Sequence, residues 1–256
     1  MDGIAIITGA SSGLGREFIS LLKTEKYREI WAIARRQDKL EELQNMTEIP
    51  IRLFSLDLSK EASIGRLEQQ LAKEKPRISL LINGAGFAKI GSYREVSRGD
   101  IDQMVAVNCR AAMDMCHICL PYMKKGDRII NICSTAGFQP FPFLSVYSAS
   151  KAFLYRYSKA LRWELFPRGI SVTAVCPYWI KDTEFIEKAK ETEQRKRIVG
   201  FPLASRRKNV ARWALFDAGL RLPVSTPGPV CFVHRIVAKF IPSEIMMGIW
   251  ELIRRI

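Results

Sequence analysis

Short, nearly continuous apolar runs alternate along this chain with longer segments whose apolar residues recur at helical spacing. The runs are Ile4 to Ile7, Ile30 to Ala34, Ile51 to Leu56, Ile78 to Ile82, Ile129 to Cys133 and Ile170 to Cys176. Strands buried on both faces of a parallel sheet read in this way. Between them the pattern predicts helices towards Lys23, from Lys60 to Lys73, from Ser97 to Met123, from near Ser145, and from Arg206 to Leu220. Strand and helix in alternation predict an α/β fold with a parallel, doubly wound sheet. Residues 178–205 are charged and helix-like without a clear strand, and Pro223 to Pro229 breaks the chain. Two amphipathic pieces close it, Val230 to Ile241 and Ile245 to Ile256, split by Pro242.

One stretch carries a chemical suggestion. Twenty-two residues without a formal charge separate Arg128 from Lys151. That length is enough for a membrane span, but four Ser, a Thr, an Asn, a Gln and two Pro interrupt it. A buried strand, a loop and a helix fit better. Ser134 then stands at the strand's carboxyl end, and Tyr147 and Lys151 share one helix face at i and i+4. A free tyrosine is a poor acid or base at neutral pH. A nearby ammonium favours the phenolate, and a Tyr so tuned can exchange a proton with a carbonyl or alcohol oxygen. Ser134 can bond the same oxygen. Tyr-x-x-x-Lys also occurs by accident on helix surfaces, so the reading leans on the rest of the chain.

Thr8-Gly9-Ala10-Ser11-Ser12-Gly13-Leu14-Gly15 follows the first strand and opens a helix. Glycines allow a tight turn and close backbone approach to a pyrophosphate, and the helix N-terminus offers free N–H groups. The spacing is G-x-x-x-G-x-G. After the second strand come Arg35 and Arg36, where NAD sites place an acid for the ribose hydroxyls. Two guanidinium groups suit a 2′-phosphate instead; the plain alternative is a pair of surface arginines starting a helix. Asn108 sits inside the predicted 97–123 helix, a mildly unfavourable place that implies a packing or functional reason.

Composition narrows the picture further. At 256 residues the chain has the size of one α/β domain with a sizeable core. It enters its first strand at Ile4 with no basic, apolar leader before it, so a cytoplasmic location is expected. Six Cys at 109, 116, 119, 133, 176 and 231 read as reduced thiols rather than a disulfide framework. Cys116-His117-Ile118-Cys119 has no second pair to complete four zinc ligands, so no metal is expected. Net charge is +14, and from Lys181 onward fifteen Lys and Arg face eight Asp and Glu. Such a balance favours anionic partners, among them a phosphorylated cofactor or a membrane surface. No nucleic-acid motif accompanies it.

TGASSGLG at 8–15, Asp57, NGAG at 83–86, Asn108, Ser134 and YSASK at 147–151 together resemble the short-chain dehydrogenase/reductase family over nearly the whole chain. The resemblance implies a Rossmann-type sheet of about seven strands in a single NADP-binding domain, residues 1–256. It implies an Asn108–Ser134–Tyr147–Lys151 tetrad in which Tyr147 is the acid/base. Lys151 would lower its pKa and bind ribose, Ser134 would orient the substrate oxygen, and Asn108 would hold a relay water. Cofactor contacts are expected from Gly9, Ser11, Ser12, Gly13, Leu14, Gly15, Arg35, Arg36, Asp57 (at the adenine), Leu58, Asn83, Ala85, Gly86, Asn108, Tyr147, Lys151, Pro177, Ile180 and Thr183. Two features depart from the family: Pro177-Tyr178-Trp179 replaces the usual Pro-Gly, with Thr183 slightly off its usual spacing, and a glycine-rich C-terminus is missing. The C-terminal region is weakly like the branch of hydroxysteroid dehydrogenases and long-chain 3-ketoacyl reductases.

The expected activity is NADP(H)-dependent interconversion of a ketone and a secondary alcohol. Phe87, Phe138, Phe141, Phe143, Tyr178, Trp179 and Phe185 predict a pocket for a bulky apolar substrate such as a steroid or fatty-acyl chain, several of them being equally open to a core role. Residues 178–205 would form the substrate loop, and 230–256 an extension packed beside the substrate entrance. A homodimer or homotetramer is expected. The rivals are a 3-ketoacyl reductase, a non-catalytic NADP sensor on the same fold, and a peripheral membrane-surface protein. A sugar epimerase of the extended relatives is disfavoured by length and glycine spacing.

Overall fold

The first strand, Gly3–Thr8 (β1), is buried at every position, and its continuous apolar run leaves it no solvent-facing side. The computed structural model describes residues 3–22, 27–200 and 203–255. Lys23 and Ile256, where two helices are expected to end, and part of the substrate loop at 201–202 lie outside the described residues. After β1 come Gly13–Leu22 (α1), Glu29–Ala34 (β2), Gln37–Glu41 (α2), Ile51–Ser55 (β3), Glu61–Glu74 (α3) and Arg77–Asn83 (β4). Arg98–Val105 (α4) and Ala111–Cys119 (α5) follow, then Arg128–Ile132 (β5), Ser145–Glu164 (α6) and Ser171–Val175 (β6). Phe185–Lys190 (α7), Arg207–Gly219 (α8), Val224–Ser225 (β7), Pro229–Phe240 (α9) and Ser243–Ile253 (α10) complete the chain.

Among the described residues the seven strands form one parallel sheet in the order β3-β2-β1-β4-β5-β6-β7. The order reverses between β1 and β4, and a crevice at such a switch point, outside the strands' carboxyl ends, is where doubly wound sheets bind ligands. Both faces are covered. Phe18, Ile19 and Leu22 of α1 and Ala211 and Ala214 of α8 pack on one side, and Leu67, Met115 and Leu161 of α3, α5 and α6 on the other. A third apolar cluster includes Ile90, Phe141, Tyr147, Ile198 and Trp250, and Phe141 and Tyr147 of it line the crevice.

Three expectations change. Pro223 to Pro229 does not simply break the chain, because Val224–Ser225 adds a short strand whose ladder is set by β6: Ala174 donates to the Pro223 carbonyl at 3.1 Å and Cys176 to that of Ser225 at 2.8 Å. The single 97–123 helix is interrupted by a wide turn of π-helix, Ala106–Arg110, and it begins on Ser97, whose Oγ accepts from the Asp100 N–H at 3.1 Å. The 178–205 segment contains α7 but also a parallel bridge, Ile180 to Ser205, which pins its two ends together.

Candidate active site

The strand ends deliver the site. Thr8 closes β1, and its Oγ1 accepts from the N–H groups of Gly84 and Ala85, both at 3.1 Å, fastening the loop after β4 to the glycine-rich turn. Gly9 has φ +70, and a Cβ on it would stand 2.7 Å from the Gly84 carbonyl oxygen. A Cβ on Gly15 would reach within 2.2 Å of the Gly9 oxygen. Side chains at these positions would push α1 away from the sheet edge, which explains the two glycines.

The crevice between these loops is lined at one end by Gly13, Arg35, Arg36, Asp57 and Thr183, and at the other by Ser134, Tyr147, Lys151 and Pro177. Every residue expected to touch the cofactor lines it except two. Asn83 lies buried beneath the crevice floor, where its Nδ2 bonds Asn131 Oδ1 at 2.8 Å and the Ala112 carbonyl at 3.3 Å, so it braces β4 against β5 and α5. Asn108 sits behind the wall at the π turn. Its Oδ1 accepts from Phe87 N–H at 3.0 Å, and its Nδ2 donates to the Phe87 carbonyl at 2.9 Å and to Ser150 Oγ at 3.1 Å. A Cβ added to Gly86 would lie 3.0 Å from Asn108 Oδ1 and 3.2 Å from Lys151 Nζ, so the two side chains converge on that glycine.

Ser134 is held with its Oγ accepting from Ala136 N–H at 3.1 Å, capping a short 3₁₀ turn at Thr135–Gly137. Tyr147 is in the first turns of α6 and buried. Burial pushes its phenol well above the ordinary value, the Ser134 hydroxyl opposes that shift, and Cys133 and Cys176 add to it. Lys151 Nζ donates to the Ile132 carbonyl at 2.8 Å and stands 5.8 Å from the Tyr147 ring centre. Burial lowers its pKa. The expected lowering of the Tyr147 pKa by Lys151 is therefore not what this geometry produces: the ammonium lies over the ring and is turned to a carbonyl. One acceptor among the described residues satisfies one of its three N–H groups, leaving donors for ligand hydroxyls.

Phe87, Phe141, Tyr178, Trp179 and Phe185 line the crevice, and the Phe185 ring centre is 5.7 Å from that of Tyr147. Phe138 and Phe143 do not line it. Phe138 packs edge-on to Tyr155 at 5.3 Å and to His234 at 6.0 Å. Phe143, at φ +67, has the guanidinium groups of Arg254 and Arg197 over its ring at 4.5 and 4.9 Å. Spacing in an irregular loop carries no face period, so sequence alone cannot sort these rings.

Two charged crevice residues, Glu184 and Lys188, were not anticipated. Glu184 Oε2 lies 3.0 Å from Arg36 Nη1 and also pairs with Lys188, and both line the crevice beside Arg35. Glu184 is accordingly held below the usual carboxylate range, through its bond to Lys188 and then the charges of Lys188 and Arg36. Burial works against Asp57 ionising, but two bonds from Ser59 and the nearby Arg35 bring its pKa below the ordinary value. The lining fits a phosphorylated dinucleotide: a glycine turn and a helix N-terminus for diphosphate, cations at one end, and hydroxyl and ammonium groups at the other.

A sheet of this order, with Tyr147, Ser134 and Lys151 around one crevice, is that of a dinucleotide-dependent oxidoreductase. The family description "short chain dehydrogenase" matches residues 3–194, and the chain belongs to the short-chain dehydrogenase/reductase family. It is similar to a 3-ketodihydrosphingosine reductase of Bacteroides thetaiotaomicron, 32% identical over 68% of this chain and 62% of that protein. A very-long-chain 3-oxoacyl-CoA reductase of Pyrenophora tritici-repentis is 32% identical over 67% of this chain and 53% of its own length. Among solved structures, a short-chain dehydrogenase from Sphingobium yanoikuyae in complex with NADPH is 25% identical with a TM-score of 0.78, covering 94% of this chain and 96% of that one.

Proposed function

We propose that the protein is an NADP(H)-dependent oxidoreductase that interconverts a bulky apolar ketone and its secondary alcohol. The observation that carries this reading is the placement of Tyr147 beside Ser134 on the floor of a crevice walled by Phe141, Tyr178, Trp179 and Phe185. When bound, the nicotinamide supplies hydride to the carbonyl carbon or takes it from the alcohol. Tyr147 gives the carbonyl oxygen its proton, and Ser134 bonds the same oxygen and fixes its position. Lys151 offers its free N–H groups to ribose hydroxyls. Asn108 holds Phe87 and, through it, the wall beside Gly86; a relay water between Asn108 and Lys151 would complete the proton route. Arg35 and Arg36 bind the 2′-phosphate.

For the substrate, the names of the two relatives support an acyl-chain ketone over a ketosteroid. The apolar wall accepts either in principle. The protein acts in the cytoplasm as a homo-oligomer, a state supported by the exposed Phe153, Trp163 and Phe166 along α6 and just beyond it. The test is turnover of a panel of ketones, from small ones through long-chain 3-keto thioesters to 3-ketosteroids, with NADPH and with NADH. Turnover of the long-chain members with NADPH is the expected result. Binding of NADPH with no turnover of any ketone would favour the sensor reading instead.

A further inference from the structure

The two C-terminal helices turn apolar side chains outward. On α9 the exposed residues are Phe232, Val233, Ile236 and Phe240, and on α10 they are Ile245, Ile249, Leu252 and Ile253. Both sets fall at i, i+4 and i+8 spacing, so each is one continuous stripe on its helix. The 230–256 extension is expected to pack beside the substrate entrance, and these eight side chains of it face solvent. The helices are anchored by other residues: Cys231 on α9, and Met246 and Trp250 on α10. An outward apolar stripe on two adjacent helices needs a partner.

We propose that α9 and α10 form a docking face for a bilayer surface containing anionic lipid. Charge argues for that occupant. Lys239 is exposed at the end of the α9 stripe, and Arg195 and Lys196 are exposed on the loop joined to α10 by the Val199 N–H bond to the Arg254 carbonyl at 2.9 Å. None of the three has an ion-pair partner among the described residues. Exposed cations beside an apolar face match anionic headgroups. A symmetric contact with a second copy would bring the same cations together, so like charges oppose it. Neither helix can cross a membrane; among the described residues no helix is long and apolar enough. The face is lateral to the site rather than remote from it, since Trp250 of α10 meets Phe141 of the crevice wall at 4.8 Å and His234 of α9 bonds Gln139 at 2.7 Å. An apolar substrate could thus enter from the lipid side, a corollary that rests on the proposed substrate class; the docking itself does not.

Flotation of the full chain with vesicles tests it, using pure phosphatidylcholine and an equimolar mixture with phosphatidylserine. The mixed vesicles should carry the protein, with binding falling as salt rises. Phe240→Asp/Leu252→Asp should weaken that binding at least about tenfold with an unchanged melting temperature, because both side chains face outward. Lys239→Glu should weaken binding to mixed vesicles alone. No flotation with either vesicle overturns the proposal, as does equal binding by the double variant. An oligomer seen by sedimentation that the double variant dissolves, without vesicle binding, assigns the face to a second copy and also overturns it. None of these readouts requires turnover, so docking with no activity on apolar ketones would leave this inference standing and remove the substrate reading.

Discussion

Lys151 Nζ bonds the Ile132 carbonyl at 2.8 Å while lying 5.8 Å from the centre of the Tyr147 ring. The cation is tethered to the end of β5, one residue before Cys133 and two before Ser134. It thereby ties α6 to the strand that delivers the site's serine. Burial drives the Tyr147 pKa up and the Lys151 pKa down, because it works against the charged form of each.

Tyr147→Phe keeps the ring in its cluster with Phe141 and Trp250 and removes only the hydroxyl. The melting temperature and NADPH affinity should hold, and turnover should fall by at least about 10²-fold. Because the phenol's pKa is raised, it stays protonated through neutral pH. Ketone reduction, in which Tyr147 acts as an acid, should show a flat kcat/KM from pH 6 to 8 in the native enzyme, a window of roughly neutral pH set by that upward shift. Near-normal kcat in a folded Tyr147→Phe would end the assignment.

Cofactor choice turns on Arg35, Arg36 and the carboxylate that reaches one of them. Arg35→Ala/Arg36→Ala should weaken NADPH binding by ~1.5–3 kcal/mol for each bond lost to the 2′-phosphate and leave NADH binding nearly unchanged. Glu184 competes for Arg36 at 3.0 Å. Glu184→Gln should therefore tighten NADPH and 2′-AMP binding without tightening NADH. Fluorescence titration reads all of these. An unchanged preference for NADPH in the double arginine variant, or looser NADPH in Glu184→Gln, would contradict the picture.

What the chain discloses about itself follows from the range of each interaction. β1 to β6 are legible because each carries a largely apolar run, as strands covered on both faces do; β1 and β6 are buried at every position, and only β3, at the sheet edge, is half-exposed. β7 is not, because two residues between prolines have no pattern and pair only through β6. Tyr147 and Lys151 are legible as an i,i+4 pair. The π turn at Asn108 is not, since its side chain is matched to Phe87, 21 residues away. The Arg36–Glu184 pair spans 148 residues and leaves no local mark at all. The apolar periodicity of α9 and α10 is legible, but it does not say which stripe faces outward. Cys231, Met246 and Trp250 settle that by packing inward.

His234 gives a pH signature. It is half-buried on α9 near Phe138 and Phe141, with Nε2 2.7 Å from Gln139 Oε1, and burial lowers its pKa from 6.5 to about 4. The unfolded chain therefore binds the proton first as pH falls. Stability from neutral His234 is present above pH 6.5 and is lost between there and about 4, by at most roughly 3 kcal/mol. The urea midpoint of the native protein should fall more between pH 7.5 and 4.5, a window of about three units around that shift, than that of His234→Gln. Parallel losses in the two proteins would show that His234 is not the group responsible.

α10 reaches the site through Trp250. Trp250 stands edge-on to Phe141 at 4.8 Å, and Phe141 lines the crevice. Beyond it, Arg254 bonds the Arg197 carbonyl at 2.6 Å and caps the Phe143 ring, so the end of α10 also holds the substrate loop. Trp250→Leu should free Phe141 to move, because shrinking a buried aromatic leaves a cavity that its neighbours fill only partly. KM for long or bulky ketones should rise several-fold while small ketones and NADPH affinity change little. Deleting residues 243–256 removes both the tryptophan and the arginine and should raise KM for bulky ketones further, with the same sparing of small ones. Equal losses for small and large substrates, together with a lowered melting temperature, would mean that α10 is core alone. A selective loss for bulky ketones would make Trp250 a positioning residue that shapes the apolar wall through Phe141.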